Sequence, residues 1–345
     1  MVQRVGFFHF LPKFANRYDE LFCIRLFLLL FRRQEKERDG TCVLNHKQRT
    51  KKSRSCLGKS GIFTTEKMKQ VAIQGISGCF HETAAHRFFG KEIEVLPCES
   101  FELLFDRLAE DRTRLGIAAI ENTIAGSLLP NHELLNRSRM KIIGEEKIRI
   151  SHMLCALPGQ TIADIEEVRS HPIALMQCGD FLKTIPSARV VERDDTAGSA
   201  REIAEGRLMG TAAICGEDAA RLYGLEILAR AIETNRHNFT RFLILADEER
   251  VTVDPEAVNK ASLRFTLPHT QGSLSKILTV LSFYDINLTK IQSLPIIGRE
   301  WEYQFYIDVT FDNYTRYRQS VEAVRPLTSD FKVLGEYREC PNPEI

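Results

Sequence analysis

The sequence lacks the charge imbalance and the long apolar runs that mark several classes of protein. Its 345 residues hold Lys+Arg 47 against Asp+Glu 46, a net charge of +1, so no basic excess suggests a nucleic-acid partner. The apolar run at residues 21–31 is interrupted by Arg25 and is far shorter than the roughly 20 apolar residues that a membrane helix needs. We therefore expect neither nucleic acid nor a membrane among its partners.

The nine cysteines form no CxxC pair, and no group of cysteine and histidine residues has zinc-finger spacing. We therefore expect no metal site. Cys155, Cys178 and Cys215 stand in apolar surroundings, where a buried, unreactive thiol is favoured. An odd number of cysteines without a credible signal peptide indicates a reducing compartment, so we expect a cytoplasmic protein.

Residues 1–67 differ from the rest of the chain. They are basic and have no sustained helical or strand period, and no small-residue cleavage site follows their apolar run. Three interpretations remain: a disordered tail, a weak targeting segment, or translated sequence upstream of the true start. Met68 stands just before a clear strand pattern, which favours the third, and we base no functional prediction on this leader.

Residues 68–247 alternate short apolar runs with helical patterns, which predicts an α/β domain with a largely parallel sheet. Residues 248–259 are polar, charged and contain Pro255, so they are predicted to form a linker. Residues 260–340 then show the order strand, helix, strand, strand, helix, strand, typical of a ferredoxin-like βαββαβ domain. The length of the chain accommodates two domains of about 100–200 residues.

Three segments that follow predicted strands carry residues suited to an anion. The stretch Gly75-Ile-Ser-Gly78 precedes a helix whose free amides attract an anion, although a turn without a ligand explains it equally well. Asn122 and Thr123 follow an apolar strand, where open α/β sheets bind ligands, but helix capping explains them too. Thr196 lies at another helix start. The repetition suggests several helix N-termini converging on one anionic ligand.

A further helix is predicted over residues 172–184, and it carries Gln177. Pro172 suits its first turn. His171 precedes this proline. Because a lone histidine is more often structural than catalytic, His171 is expected to cap the helix or pack against it.

The stretch Asn238-Phe-Thr-Arg-Phe242 precedes a strongly apolar strand. Arg241 offers a planar donor fork suited to a carboxylate, and Thr240 offers a hydroxyl that can donate a hydrogen bond. On composition alone, a surface arginine beside a strand-favouring threonine is the better explanation. The companion stretches reverse this preference.

Together, and in this order, five stretches resemble the prephenate dehydratase family: residues 75–85, 121–127, 170–178, 195–197 and 238–242. Residues 260–338 resemble an ACT domain, a module that senses amino acids. The resemblance implies two lobes like those of type II periplasmic binding proteins, about 69–148 with 225–247 and about 149–224, and an active site in the cleft. It also implies the conversion of prephenate to phenylpyruvate, water and carbon dioxide in phenylalanine biosynthesis, without a cofactor.

The resemblance also implies roles for single residues. Thr240 would stabilise the departing hydroxyl by a hydrogen bond, and Arg241 would hold a carboxylate of prephenate. The other residues implied to bind substrate are Asn122, Thr123, Gly78, Cys79, Thr196, Asn238 and Phe242. His171 and Gln177 would support them from a second layer.

Two residues of the glycine turn depart from the family pattern. Cys79 stands where a threonine is usual, and His81 where a serine is usual, so two hydroxyl groups that could touch substrate are absent. Asn238, Thr240 and Arg241 are intact, and we therefore expect an active enzyme.

The C-terminal domain departs further. Gly272-Ser273-Leu274 stands for the usual Gly-Ala-Leu, whose amides suit the carboxylate of an amino acid. Gln292 and Ser293 begin a Gln-Ser-Leu-Pro stretch where Glu-Ser-Arg-Pro is common, so both charges are lost. Feedback by L-phenylalanine is a hypothesis on this evidence. Since ACT sheets commonly pair edge to edge, a homodimer or homotetramer is expected.

Two rivals remain open. Arogenate carries an amino group where prephenate has a ketone, and no residue here separates an arogenate dehydratase from a prephenate dehydratase. A non-catalytic sensor of aromatic metabolites is also compatible, since a fold does not fix a function. Thr240 beside Arg241 argues against the sensor, because a pure binder needs no group aimed at a leaving hydroxyl.

Overall fold

The computed structural model describes residues 69–296, 298–299 and 302–342. The predicted leader and Met68 lie outside these residues. The strands are β1 (Lys69–Gln74), β2 (Ile93–Cys98), β3 (Leu115–Asn122), β4 (Gly126–Ser127), β5 (Met140–Arg149), β6 (Met153–Ala156), β7 (Glu167–Ser170), β8 (Arg189–Glu192), β9 (Thr211–Cys215), β10 (Glu226–Ala229), β11 (Phe239–Asp247), β12 (Lys260–Thr266), β13 (Asn287–Pro295), β14 (Tyr303–Thr310) and β15 (Ser329–Tyr337).

The helices are α1 (Phe80–Phe89), α2 (Phe101–Glu110), α3 (Leu129–Arg137), α4 (Pro172–Gln177), α5 (Gly179–Leu182), α6 (Thr196–Gly206), α7 (Glu217–Leu222), α8 (Ser273–Phe283) and α9 (Tyr314–Val324). None of these helices is long and apolar enough to cross a membrane. The single helix predicted over residues 172–184 is wrong in detail, because the chain breaks it at Cys178 into α4 and α5. Gly179 at the break favours such an interruption, since glycine is weak inside a helix.

Several helices begin at residues whose side chains satisfy their free amides. Ser100 accepts a hydrogen bond from Leu103 N at the start of α2, and Asn313 accepts one from Arg316 N at the start of α9. Such caps stabilise a helix by about 1 kcal/mol. The buried residues of α2 are Leu104, Phe105 and Leu108, a spacing that gives the helix one apolar side toward the core.

The first sheet, which we call the long sheet, has the strand order β13-β14-β12-β15-β5-β11-β3-β1-β2, with β4 paired to β3. Strand β1 is parallel to β2 and β3. Strand β11 is antiparallel to both β3 and β5. The prediction of a largely parallel sheet is therefore wrong for this half of the fold, because β11 returns from a distant part of the chain and runs against its neighbours.

The second sheet, the short sheet, has the order β10-β6-β9-β7-β8. Strand β10 pairs antiparallel with β6, so residues 226–229 belong to this sheet. Residues 225–247 were expected to belong to the same lobe as residues 69–148. This boundary is wrong, because the chain returns to the long sheet only after β10, between β10 and β11. Apolar side chains from both sheets meet in one core, which includes Ile73 and Ala119 from the long sheet and Cys155 and Cys215 from the short sheet.

The C-terminal part, from β12 to β15, has the predicted order strand, helix, strand, strand, helix, strand. Its strands are antiparallel, in the order β13-β14-β12-β15. Strand β15 joins β5 through the parallel pair Gly335 and Ile142. A Cβ atom at Gly335 would lie 2.1 Å from the Ile142 carbonyl oxygen, so only glycine permits this approach. The C-terminal strands thus continue the long sheet.

Candidate functional site

The predicted site residues of β3 and β11 lie side by side. Asn122, the last residue of β3, is the register partner of Thr240 in β11. Asn238 directly precedes β11, and its side chain is fully buried. Because adjacent antiparallel strands hold opposite side chains about 5 Å apart, three polar residues from distant parts of the sequence come together.

The Asn122 amide organises this group. Its Nδ2 donates to Thr240 Oγ1 at 3.0 Å and to Asn238 Oδ1 at 2.7 Å. Its Oδ1 accepts the backbone N–H groups of Ile124 and Ala125, which fixes the orientation of the amide. Thr240 Oγ1 therefore acts as an acceptor toward Asn122. Within the described part of the chain its hydroxyl hydrogen has no acceptor, so it is available for donation.

The hydrogen bonds continue toward the short sheet. Asn238 Nδ2 donates to Gln177 Oε1 at 3.0 Å, and His152 Nε2 lies 3.0 Å from the same oxygen. Burial lowers the pKa of His152, against a smaller opposing effect of the Gln177 hydrogen bond and the Glu233 charge. His152 is thus neutral near pH 7. We call Asn122, Asn238, Thr240, Gln177 and His152 the neutral cluster.

His152 was missed by sequence reasoning. Only one signal pointed to it, a histidine at the start of the apolar strand β6. Gln177, expected in a second layer, does take that place, since it contacts Asn238 and His152 and not Thr240.

Arg241 lies on the other side of β11 from Thr240, because successive side chains of a strand point to opposite faces. Its side chain is only 8% exposed. Its guanidinium donates to Glu145 at 2.6 Å, to Glu121 at 3.0 Å and to the Tyr337 hydroxyl at 3.0 Å, and it also donates to Asp308. These contacts engage four of the five N–H groups of the guanidinium. Arg241 also borders the cavity beside Thr240, so its role in holding a substrate carboxylate stays a prediction.

Arg241 belongs to a larger set of buried ions, which we call the charge cluster. Its carboxylates are Glu121, Glu145 and Asp308, and its cations are Arg241, Lys260 and Lys290. Lys290 bonds Glu121 at 2.7 Å, and Lys260 bonds Glu145 at 3.0 Å. Lys260 also pairs with the partly exposed Glu339 at 3.6 Å, so each cation of the cluster has at least one carboxylate partner, as buried ions need if they are to remain charged.

The pKa values of the cluster's acids follow from this pairing. Burial alone would raise the pKa of Asp308, but the Arg241 charge and hydrogen bonds from Arg241 and Ser262 outweigh it and lower the pKa to about 2. Burial likewise opposes ionisation of Glu121, and the Lys290 and Arg241 charges outweigh it to lower its pKa. Both carboxylates are ionised at neutral pH.

The glycine turn does not offer the open amides that its sequence suggested. The Gly78 N–H donates to the Glu82 carboxylate. A Cβ atom at Gly78 would lie 2.9 Å from the Ala219 Cα of α7, so this glycine allows α7 to pack closely. Cys79 is 6% exposed, and burial raises the pKa of its thiol to about 12. The expected substrate contacts of Gly78 and Cys79 are therefore corrected to packing and helix-start roles.

Residues on the Thr240 side of β11 complete the core. Phe242 is 1% exposed, and its ring meets the His81 ring edge-on at 4.9 Å. His81 Nε2 accepts the Ala119 N–H, and burial lowers the pKa of His81 to about 3. Phe242 thus packs behind Thr240 and does not reach a substrate, contrary to the expectation.

Thr123, His171 and Thr196 lie at local structural positions. The Thr123 hydroxyl donates to the His237 carbonyl and accepts the Phe239 N–H, both at 2.9 Å, so it fastens the loop after β3 to β11 and is not free for substrate. His171 Nδ1 accepts the N–H of Ile173 and caps α4, as expected. Thr196 is the first residue of α6, where the neighbouring Asp195 supplies the cap.

The predicted regulatory residues lie in the C-terminal part. Gly272 precedes α8 with φ +76°, a left-handed conformation that favours glycine. The Ser273 hydroxyl is paired with Thr270 Oγ1 at 2.7 Å, and Leu274 packs against the core. Gln292 Nε2 donates to the Ser293 carbonyl. These residues lie at the start of α8 and within β13.

A cavity of about 500 Å³ borders the ends of β3 and β11. Pockets for small molecules have volumes of about 300–1,000 Å³. Its lining residues are Glu121, Asn122, Thr123, Gly126, Ser127, Lys147, Phe239, Thr240, Arg241 and Asn342. Asn122 and Thr240 thus border a space that a small substrate can occupy.

An α/β fold with hydrogen-bonding side chains beside such a cavity is that of a protein that binds a small molecule. The prephenate dehydratase family model matches residues 71–250, and the chain belongs to this family. A protein of Arabidopsis thaliana named arogenate dehydratase/prephenate dehydratase 2, chloroplastic, is 35% identical over 278 residues, which cover 78% of this chain and 72% of that protein. The predicted family and the predicted hydro-lyase activity are confirmed.

Two solved structures are similar over most of the chain. The prephenate dehydratase from Arthrobacter aurescens, in complex with L-Phe, has a TM-score of 0.70 and 26% identity, covering 78% of this chain and 89% of that one. GqqA, described as a novel type of quorum quenching acylase, has a TM-score of 0.72 and 28% identity, covering 79% of this chain and 99% of that one. The mixed α/β fold is therefore that of known prephenate dehydratases.

Proposed function

We propose that the chain converts prephenate to phenylpyruvate, water and carbon dioxide, and that Thr240 stabilises the departing hydroxide. The observation that carries this proposal is the hydrogen bond of 3.0 Å from Asn122 Nδ2 to Thr240 Oγ1. Because Asn122 fills an acceptor position of the hydroxyl, the Thr240 hydrogen is directed away from Asn122 and toward a substrate.

The chemistry of the reaction suits a neutral donor. Loss of the hydroxyl and of carbon dioxide creates an aromatic ring, so the step is strongly downhill, and the enzyme has to supply orientation and help for the leaving group. An alcohol is a poor acid, so a hydrogen bond that strengthens as charge develops on the leaving oxygen is a better description than full proton transfer. Such help is worth about 10²–10⁴ in rate.

Arogenate is the second candidate substrate, because the Arabidopsis thaliana relative carries both activities in its name. Prephenate and arogenate share the ring hydroxyl and the carboxylate that leave, so the Thr240 role applies to both. The two differ in the side chain alone. Turnover measured on each substrate, at equal concentrations, decides between them.

The alternatives outside this class have less support. A non-catalytic sensor does not need a threonine hydroxyl held by Asn122, and the family is one of enzymes. The acylase activity named for GqqA would need an activated nucleophile. Burial raises the pKa of Cys79 and of Cys178 to about 12, which leaves these two thiols unreactive near pH 7.

For the finer architecture we keep the interpretation of two lobes like those of type II periplasmic binding proteins, followed by an ACT domain at residues 260–340. The βαββαβ order of the C-terminal part supports the ACT assignment. The L-Phe named with the Arthrobacter aurescens enzyme supports an amino-acid effector. A homodimer or homotetramer and a cytoplasmic location belong to the same proposal, and light scattering on the purified protein measures the first of these.

Regulation is tested by titrating L-phenylalanine into the protein by calorimetry and into the activity assay. We expect binding, with Gly272→Ala weakening it because the left-handed turn before α8 is strained by a side chain. Absence of both binding and inhibition at millimolar L-phenylalanine would remove the sensing role and leave the catalytic proposal intact.

The catalytic proposal is tested by following phenylpyruvate in the ultraviolet. We expect Thr240→Val, which keeps the shape of the side chain and removes the hydroxyl, to lower kcat by about 10²–10⁴. Thr240→Ser keeps the hydroxyl and is the matched control, expected to retain most of the activity. Equal activity in Thr240→Val and the wild type would sink the assigned role of Thr240.

A further inference from the structure

We infer that Glu121 and Arg241 are positioning residues for the reaction, and that side chains of the C-terminal part hold them in place. The inference rests on the proposed roles of Asn122 and Thr240. Glu121 immediately precedes Asn122, and Arg241 immediately follows Thr240. The two residues are register partners across β3 and β11, and their side chains form an ion pair at 3.0 Å.

The pairing of β3 and β11 is irregular next to Glu121 and Arg241, so a side-chain contact is needed there to hold the two strands together. Arg241 and Phe242 are consecutive in β11, but their register partners in β3 are Glu121 and Ala119, so one residue of β3 has no partner. A shift of this kind interrupts the ladder of backbone hydrogen bonds and re-aims the side chains beside it. The irregularity lies one residue from Thr240. The contact between Glu121 and Arg241 therefore ties the two strands together at the point where the backbone ladder is weakened.

Side chains of the C-terminal strands bind both members of the ion pair between Glu121 and Arg241. Lys290 of β13 bonds the second oxygen of Glu121 at 2.7 Å, and Asp308 of β14 bonds Arg241. Asp308 is held in turn by the Ser262 hydroxyl. The pair in the catalytic strands thus lies between one cation and one anion from the C-terminal strands.

Burial makes this arrangement stiff. The exposed fractions of the side chains are 8% for Arg241, 9% for Asp308 and 12% for Lys290, and 31% for Glu121, which borders the cavity. Charges removed from water interact more strongly and tolerate little displacement, because any separation leaves a buried charge without its partner. A small movement of β13 or β14 is therefore transmitted to the residues beside Asn122 and Thr240.

None of these charged residues bonds the Thr240 hydroxyl, whose hydrogen-bond partner among the described residues is Asn122. Their effect must pass through the backbone. For Lys290, which does not line the cavity beside Thr240, the expected signature is therefore a lower kcat with little change in KM, since the geometry of the reacting pair changes while the substrate pocket is kept. Glu121 borders this cavity, so its replacement is expected to change KM as well.

The experiment uses the full chain and measures kcat and KM for Lys290→Met, Glu121→Gln and the double variant. We expect each single variant to lower kcat between about 10-fold and 10²-fold, as a displacement of about 1 Å can cost 10²-fold. In Lys290→Met, which leaves the cavity lining intact, KM should change less than about 2-fold. The double variant should be no worse than the poorer single one, because both changes break one contact. Lys290→Arg should recover most of kcat.

Lys276→Met is the control, because it removes an exposed lysine of α8. Circular dichroism and thermal unfolding establish that each variant is folded. Should Lys290→Met not fold, Lys290→Gln takes its place, since it keeps a hydrogen-bond donor toward Glu121 while removing the charge.

The outcomes separate the two proposals. If the wild type turns over substrate and depends on the Thr240 hydroxyl, but Lys290→Met matches Lys276→Met in kcat, the positioning inference is overturned and the proposed function stands. Independent effects that multiply in the double variant overturn it as well. If the wild type converts neither prephenate nor arogenate, both proposals fail together.

Discussion

The two sides of strand β11 carry opposite kinds of chemistry within one residue of each other. On the Thr240 side lie uncharged amides, a hydroxyl and a neutral imidazole, joined by hydrogen bonds of 2.7–3.0 Å. On the Arg241 side lie three carboxylates and three cations, most of them buried. The neutral cluster and the charge cluster thus lie on the two sides of one strand, and Glu121 and Arg241 of the charge cluster border the same cavity as Asn122 and Thr240.

The separation has a chemical consequence for Thr240. A carboxylate within reach would accept the threonine hydrogen more strongly than a departing hydroxyl does, because hydrogen bonds to charged acceptors are about twice as strong as neutral ones. Of the acids in the paired strands, Glu121 and Glu145 are turned to the other side and engaged by cations. Glu146 lies on the Thr240 side as the register partner of Phe242, but among the described residues it makes no hydrogen bond with Thr240. The strand alternation thus leaves the hydroxyl hydrogen free for the substrate.

The strongest test of this comparison is stability. Arg241→Met should lower the free energy of unfolding by about 3–5 kcal/mol, because it leaves Glu145 and Asp308 buried with fewer partners. Thr240→Val, on the neutral side, should cost only about 1 kcal/mol. Urea unfolding of both variants measures the contrast, with the exposed Arg236→Met as control. Similar losses for Arg241→Met and Thr240→Val would contradict the division into two sides.

Acid pH should weaken both sides of the strand through buried histidines, since burial lowers the pKa of His81 on the neutral side and of His132 beside Lys290 to about 3. The pKa of His81 falls from 6.5 to about 3 on burial, so the unfolded chain takes up the proton first, and stability decreases as the pH drops below about 6.5. Between pH 7 and pH 5 the loss from His81 is about 2 kcal/mol. Asp308, with a pKa of about 2, stays ionised over this range and loses its contribution only as the pH falls below about 4.

His81→Ser checks this effect. Its stability is expected to be lower at both pH values, but its loss between pH 7 and pH 5 should be smaller than that of the wild type by about 2 kcal/mol. Phe242→Leu is the matched control, since it opens the same core beside His81 without removing a titrating group, and it should keep the full loss. If His81→Ser lost as much stability between pH 7 and pH 5 as the wild type, residues other than His81 would cause the loss.

The smallest expected effect concerns the start of α1. Cys79 is the N-cap residue of this helix and makes no side-chain cap hydrogen bond. Cys79→Ser should stabilise the protein by about 1 kcal/mol, because a hydroxyl can accept a free helix amide. Cys98→Ser, a buried thiol in β2, has no helix amide to accept and should destabilise. Thermal unfolding of both variants measures the difference. If Cys79→Ser lost as much stability as Cys98→Ser, the missing side-chain cap of α1 would not be what limits stability there.

The sequence predicted the meeting of Asn122, Asn238 and Thr240, because the apolar strands β3 and β11 can be recognised by their composition and the polar residues lie at their ends. The buried ion pairs of Arg241 could not be predicted, because its partners Glu145 and Asp308 come from distant strands and only the alternation of side chains along β11 turns Arg241 toward them. The glycine turn failed for a different reason. The use of the Gly78 amide by Glu82 depends on a side-chain rotamer that no pattern encodes.

Strands β4, β7 and β10 and helix α3 carry patterns too weak to be predicted from the sequence. Strand β7 alternates the paired charges Glu167 and Arg169 with the buried Val168, so only one apolar residue indicates its core side. Strand β10 has only four residues and β4 only two, and helix α3 carries polar residues and a proline in its first turn. Such elements form because neighbouring strands and helices stabilise them, and their own propensities are weak. Tertiary context of this kind cannot be inferred from a single sequence.

The contact between Gly335 and Ile142 has a consequence for how this sequence can change. Any other residue at 335 would drive a side-chain atom into the Ile142 carbonyl oxygen, so β15 would have to separate from β5, and Tyr337 and Asp308 would move with it. Position 335, which is far along the chain from Thr240, is therefore expected to tolerate no residue other than glycine, whereas exposed positions of α8 are expected to tolerate many. Mutational tolerance in this protein is expected to follow backbone proximity, and distance from the chemistry is a poor guide to it.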